Sequence, residues 1–489
     1  MRAVWVIQRT EAHAVRKQNG VKSFKVTPMS YQSVNPYTAE ALKTFPEISD
    51  SQLQREITLA QASYLSWRAL KFSERSAIML KAAAMLRWRV DEFAGFMTTE
   101  MGKLIEESRG EVMLSADIIE YYAKHAERFL EPHHLAPEHG AARVESSSLG
   151  VLFGVQPWNF PYYQLARFAA PNLMAGNVVM IKHAGCVPQC ALAFAKLFVE
   201  AGAPAGVYTN LFISYSQVEA VIADVRIKGV ALTGSVDAGK HVAELAGKHM
   251  KKSTMELGGC DAFIVLEDAD LAASLKWGMW AKMNNMGQCC IAAKRFIVID
   301  SLYDQFLAKF KTAMQALKPG DPMLSETTLG PLSTEAALIG LLKQIDQAVS
   351  HGAKLMLGGA RIPESKGAFM QATILTDVKP GNPAFRDEFF GPVAIFYRVK
   401  NDAEAIALAN DSDFGLGCSI FTANIPRATT IASQIEAGMV FINHPTWTAP
   451  DLPFGGVKDS GYGRELSSMG IQEFVNKKLV RVSAIDAPA

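Results

Sequence analysis

No stretch of this sequence approaches the roughly 18 consecutive apolar residues that cross a bilayer as a helix, and runs such as VLFGV and VVMI have the length of buried strands. No membrane partner is expected. Cysteine is sparse: six in 489 residues form no disulfide framework of the kind that staples small secreted domains, so a reducing, cytoplasmic setting is expected. Excess charge is missing too. With 49 lysines and arginines against 48 aspartates and glutamates, the net charge of +1 gives no global field to draw in nucleic acid. A small-molecule partner is the expectation. There is no internal repeat and no low-complexity segment, and the chain is too long for one hydrophobic core, which calls for two or three domains.

What is present begins with an unusual first stretch. Residues 1–28 carry Arg2, Arg9, Arg16, Lys17, Lys22 and Lys25 against Glu11 alone, and are expected to be an extension ahead of Met29 or, in the alternative, an Arg-rich organelle presequence. From Asp50 to Lys124 apolar residues recur at three- and four-residue spacing, the mark of helices. The polar, Pro-containing segment 131–150 turns β-like near its end and predicts an excursion from the domain body. After it, short apolar strands alternate with helices through GVLFGVQ, NVVMIKH, GVYTNLF and IKGVALTGS, then again from DAFIVL through RFIVID, PVAIFYRV and GCSIFTAN. That alternation predicts an α/β fold of two domains, each a parallel sheet wrapped by helices, meeting near Gly258-Gly259.

Four stretches carry residues suited to chemistry. NNMGQCCIAAKRF (284–296) sets Cys289 beside Cys290, and because neighbouring side chains diverge, a site facing one direction takes one of the two sulfurs. Small residues Gly287, Ala292 and Ala293 let backbone and substrate approach, and a helix beginning near Cys290 would offer amides to a thiolate and an oxyanion. In STMELGGCD, Glu256 points away from Met255 and Leu257, and apolar surroundings would raise its carboxyl toward a general base; a satisfied ion pair is the plainer reading. In PWNFPYYQLARF (157–168), Pro161 suits a first helical turn, Asn159 sits ahead of it, and Tyr163 and Arg167 share one face. The Asn159 amide can donate to an oxyanion and the Arg167 guanidinium can grip a carboxylate. LTGSVDAGK (232–240) opens a helix whose amides could meet a phosphate, although it lacks the middle glycine of the usual dinucleotide fingerprint. His183, Cys186 and Cys190 lie close in sequence, but no second cluster supplies a fourth zinc ligand, so no metal is expected.

Taken in this order and spacing, PWNFP (157–161), Lys182 after a strand, TGS…G (233–239), MELGG (255–259), GQCC (287–290), EFFGP (388–392) and PFGGVKDSGYGREL (453–466) resemble the aldehyde dehydrogenase superfamily, over about Ser33 to Val482. The resemblance implies two Rossmann-like parallel-sheet domains: a cofactor-binding one (29–130 and 148–257) and a catalytic one (258–458). It also implies a small β oligomerisation arm (131–147) and a C-terminal segment (459–489) that completes the cofactor domain and the arm. Cys290 is then the nucleophile and Cys289 its bystander, Asn159 and the Cys290 N–H hold the oxyanion, and Glu256 activates the water that releases the acid. Implied cofactor contacts are Gln156, Pro157, Trp158, Lys182, Gly185, Gly234, Ser235, Gly239 and Leu257, with Glu388 and Phe390 at the nicotinamide ribose. Where NAD-specific members often carry a glutamate this chain has Gly185, so both NAD and NADP are expected to be accepted.

Arg167 and Thr448 resemble the succinate-semialdehyde dehydrogenases, in which a guanidinium and a hydroxyl hold the substrate carboxylate. Tyr162, Tyr163, His444 and Trp447 are expected to wall a short pocket. A small aldehyde bearing a carboxylate is the expected substrate; small uncharged aldehydes, acyl transfer to coenzyme A or phosphate, and a non-catalytic relative are the alternatives. The arm and the tail NKKLVRVSAI imply a homodimer or homotetramer built by strand addition at a sheet edge. A disulfide between Cys289 and Cys290 would silence the nucleophile.

Overall fold

Four helices lead the computed structural model, Asp50–Trp67, Phe72–Trp88, Val90–Met101 and Ile105–Phe129, where the three- and four-residue spacing places them. The structure describes residues 31–138 and 140–485, so the basic first segment lies outside the described residues. Ser49 opens the first helix with a capping box, exchanging hydrogen bonds with Gln52, and Gly102 closes the third in the left-handed region at φ 77°. Leu53, Ile57, Met79, Leu86, Phe93 and Met97 on these helices join one core with the first large sheet.

That sheet has the order Gly461–Tyr462, Lys252–Glu256, Ile227–Thr233, Val151–Gln156, Val178–His183, Tyr208–Asn210. All its neighbours run parallel except the edge Gly461–Tyr462. Val151–Gln156 precedes the strands on both sides of it in sequence, so the order reverses there. In open α/β sheets the ligand crevice lies at the carboxyl end of such a reversal.

The second sheet runs Lys354–Leu357, Thr373–Thr376, Val393–Val399, Ala293–Ile299, Asp261–Val265, Gly417–Phe421, Met439–Ile442, parallel but for Lys354–Leu357. Its central strands are buried on both faces, as parallel strands covered by helices must be. The α/β class and the two parallel sheets agree with the sequence reading. The excursion is a three-stranded antiparallel sheet of His133–Leu135, Ala141–Ser148 and Val475–Val482, while Tyr31–Asn35 and Glu40–Phe45 form a separate hairpin. Among the described residues no helix is long and apolar enough to cross a membrane.

Candidate active site

The helix Leu271–Met283 ends in a tight reversal: Asn285 and Met286 adopt left-handed conformations, with φ 52° and 56°. Gly287 follows at φ 72°, where a Cβ would stand 2.2 Å from the Gly391 carbonyl, so only glycine fits. Glu107 accepts the Asn285 N–H at 3.1 Å, and the Asn285 amide donates to the carbonyls of Asn159 (2.8 Å) and Gln288 (3.1 Å). This turn delivers Cys289 and Cys290 to the wall of a chamber of about 690 Å³. The helix start expected at Cys290 is absent. The chain passes from the turn into the strand Ala293–Ile299, so Cys290 opens no helix of its own.

Two of the other expected groups lie beside the thiols. The Asn159 amide donates to the Gln288 carbonyl at 3.1 Å, one peptide before Cys289. Glu256, at the carboxyl end of its strand, is buried, and its Oε1 has no hydrogen-bond partner, leaving an acceptor free for a thiol or a water. Burial pushes the Glu256 carboxyl up, while the Arg167 guanidinium and the Cys290 thiol oppose the shift. The Cys289 sulfur, burial and the Glu256 charge push Cys290 well above the usual thiol range. A thiolate at this position would need a base to take its proton.

Arg167 is committed more fully than its place in the sequence suggests. It is 1% exposed, donates to the Tyr163 hydroxyl, the Thr233 hydroxyl and Glu256 Oε2, each at 3.1 Å, and pairs with Glu465 at 2.6 Å. The Tyr163 and Thr448 hydroxyls lie 2.7 Å apart on the chamber wall, in front of that guanidinium. Trp280, Trp447, Phe160 and Phe454 also line the chamber, and the Phe454 ring lies 4.7 Å from the Arg167 guanidinium. Tyr162 does not wall it: that ring is fully buried against Phe93 and Phe194. His444 packs among Trp277, Phe441 and Trp447 outside the lining.

Sequence reasoning missed four charged groups. Glu465 shares Arg167, and burial pushes its carboxyl up to about 7. Glu107 holds the cysteine turn, and Glu111, buried against Lys103, accepts the N–H groups of Tyr162 (2.9 Å) and Tyr163 (3.1 Å). Lys294 donates to the carbonyls of both Cys289 and Cys290. Lys294 alone carried a signal, as a lysine in an otherwise apolar strand.

The residues expected at a cofactor cluster at the carboxyl ends of the first sheet's strands. Ser235 caps the helix Val236–Lys248 by accepting the Ala238 N–H, Gly234 donates to the Glu256 carbonyl at 3.0 Å, and a Cβ on Gly239 would meet Leu257 at 2.4 Å. Lys182 Nζ stands 5.4 Å from the Tyr31 ring and 5.1 Å from that of Tyr215, and the Gly185 carbonyl accepts the Gln32 N–H. Glu388 Oε1 accepts the Gly259 N–H at 3.0 Å, and Phe390 meets the Trp158 ring edge-on at 5.9 Å. Gln156 is buried with both amide atoms unpartnered, an orphan that fits a polar ligand in the crevice. These residues suit a dinucleotide. Among the described residues no three His, Cys, Asp or Glu side chains gather as metal ligands, and His183 is spent on the Pro161 carbonyl.

The order reversal of one parallel sheet, adjoining a thiol, a carboxylate and an amide, is an arrangement suited to a nucleotide-dependent enzyme. The chain belongs to the aldehyde dehydrogenase family, whose family model matches residues 25–480. It is 50% identical over 451 residues to a Deinococcus radiodurans protein named succinate-semialdehyde dehydrogenase (NADP(+)), covering 92% of this chain and 94% of that one. A probable succinate-semialdehyde dehydrogenase (NADP(+)) of Synechocystis sp. is 46% identical over 93% of this chain and all of its own length. The crystal structure of succinic semialdehyde dehydrogenase from Streptococcus pyogenes in complex with NADP+ matches with a TM-score of 0.91 at 46% identity, over 93% of this chain and 100% of that one.

Proposed function

We propose that this aldehyde dehydrogenase oxidises succinic semialdehyde, or a similar short aldehyde bearing a carboxylate, to the acid with NADP+ or NAD+. The observation that carries the reading is the pair of hydroxyls on Tyr163 and Thr448, backed by Arg167, in the chamber that also receives Cys290. Hydroxyls polarised by a guanidinium bind a carboxylate, and they stand on the same chamber wall as the thiol. In this reading Cys290 gives its proton to Glu256 and its sulfur attacks the aldehyde carbon. The new oxyanion takes hydrogen bonds from the Asn159 amide and the Cys290 N–H. A bound nicotinamide nucleotide supplies the hydride acceptor, and Gln156, Trp158, Lys182, Ser235, Glu388 and Phe390 are the residues that would hold it. Loss of hydride leaves a thioester on Cys290; Glu256, once it has passed the Cys290 proton to solvent, takes a proton from water, the resulting hydroxide attacks the carbonyl, and the thiolate departs.

Residues 29–130 with 148–257 form the cofactor-binding part of this proposal, 258–458 the catalytic part, 131–147 an arm that joins two or four copies, and 459–489 a C-terminal segment that completes both the cofactor-binding part and the arm. A cytoplasmic setting completes it. The test is one screen of purified protein against succinic semialdehyde, glutaric semialdehyde, acetaldehyde and benzaldehyde, with each nucleotide and without coenzyme A or phosphate. Highest kcat/KM on succinic semialdehyde is expected. A preference for acetaldehyde, or turnover only with coenzyme A present, overturns the reading.

A further inference from the structure

Lys294 is 1% exposed, in a strand whose other residues are buried too, yet it carries a full charge. Alternation sends Lys294 and Arg295 to opposite faces. Arg295 is spent on the carbonyls of Cys260, Leu408 and Ala409, away from the thiols. Lys294 donates instead to the Cys289 carbonyl at 2.9 Å and the Cys290 carbonyl at 2.8 Å, and pairs with Glu388 at 3.0 Å. Glu388 and the neighbouring Asp261 keep its ammonium charged despite burial.

The geometry of one peptide unit gives these contacts a consequence. In a trans peptide the carbonyl and the N–H point in opposite directions, so holding the Cys289 carbonyl also aims the Cys290 N–H. Lys294 lies outside the lining of the chamber, whereas Cys289 and Cys290 belong to it. The Cys290 N–H thus points away from the lysine, and among the described residues it has no backbone acceptor of its own. An N–H left free beside a nucleophile is a donor kept for a developing charge. Gly259 fits the same arrangement: a Cβ there would stand 2.5 Å from the Cys290 carbonyl, while its N–H is fixed on Glu388.

We propose that Lys294 is a positioning residue for aldehyde oxidation: it clamps the Cys289 and Cys290 carbonyls so that the Cys290 N–H meets the oxyanion, and through Glu388 it ties that peptide to the cofactor side. The inference rests on Cys290 being the nucleophile. It separates lost oxyanion binding from lost thiol reactivity, because alkylation of sulfur by iodoacetamide builds no oxyanion.

The experiment compares the full-length parent with Lys294→Met and Lys294→Arg, using the aldehyde the parent turns over best. For Lys294→Met, kcat is expected to fall by about 10²-fold, the effect of one misplaced oxyanion donor. Its rate of Cys290 alkylation, followed by peptide mass spectrometry, is expected to stay within about threefold of the parent, and its NADPH affinity, read by nicotinamide fluorescence, to weaken as Glu388 loses its partner. Lys294→Arg keeps the charge and two donors and is expected to restore at least about a tenth of the parent kcat. If Lys294→Met does not fold, Lys294→Gln takes its place in the same assays. A kcat within about threefold of the parent, or turnover and alkylation falling together, overturns the inference. Cys290→Ser is run alongside: activity surviving there sinks the nucleophile assignment, whereas the Lys294 inference is judged on the ratio of lost turnover to retained alkylation.

Discussion

In the proposed mechanism Glu256 accepts a proton while paired with a guanidinium, and the two requirements pull its carboxyl in opposite directions. Burial raises it; Arg167 lowers it. Below its pKa the carboxyl is protonated and cannot serve as base, so kcat/KM falls on the acid side. Replacing Arg167 by Met removes the lowering charge, and the acid limb is expected to move to higher pH, with a raised KM for succinic semialdehyde. Glu465→Gln acts the other way, because it frees Arg167 from a competing carboxylate and removes a like charge near Glu256. Its acid limb is expected to move to lower pH. Shifts of both variants in the same direction, in kcat/KM profiles against pH, would falsify this account of the shared guanidinium. Cys290, Glu256 and Asn159 were legible in the sequence as candidates, through the order and spacing of the motifs that carry the family resemblance. The partners of Arg167 were not, since Glu465 reaches it only through tertiary folding, and a lone glutamate carries no mark of its future neighbour.

Elements follow the same division between local and distant causes. Periodicity identified the parallel strands, because burial on both faces leaves a continuous apolar run. It could not fix where two elements begin. Pro161 suggested a helix start, yet the helix runs Tyr163–Met174, where Glu111 of another helix accepts the first free N–H groups. A helix was expected near Cys290, where the chain instead makes a turn closed by the Ala292 N–H on the Cys289 carbonyl at 3.1 Å, just after the reversal fixed by Glu107 and Gly287. Backbone packing around that turn leaves little slack. Gly259→Ala is expected to lower kcat at least about tenfold, since its Cβ collides with the Cys290 carbonyl and backbone yields less readily than a side chain. Gly340→Ala, in the helix Glu335–Ser350 with no atom within 4 Å, is the control, expected to keep full activity and gain about 0.5–1 kcal/mol of stability. Equal activities in the two variants, from parallel kinetics and denaturation, would remove the claim that Gly259 sets the thiol's position.

At the scale of the whole molecule, the proposal divides the work between the two sheets: the first carries the expected cofactor residues at its strand ends, and the thiols lead into a strand of the second. The arm sheet projects Leu479 and Val482, 61% and 60% exposed, a surface suited to a second copy. Light scattering is expected to give two or four chain masses, and a monomer at micromolar concentration would remove the arm's proposed role. The proposed cofactor site leads to a sharper expectation, because the groups it offers include N–H groups at a helix start and the Gln156 amide, which has no hydrogen-bond partner. A dinucleotide bound there protects amides that carry no other acceptor, above all the first turn of the helix capped by Ser235. Hydrogen exchange is therefore expected to slow at 156–159, 182–185, 234–238 and 388–390 when NADP+ is added. NAD+ should protect the same segments, since Gly185 presents neither a carboxylate to repel a 2′-phosphate nor one to grip a ribose diol. Protection by one nucleotide alone points to a discriminating group outside this loop, and protection confined to the second sheet would place the cofactor elsewhere and detach the thiol from its hydride acceptor.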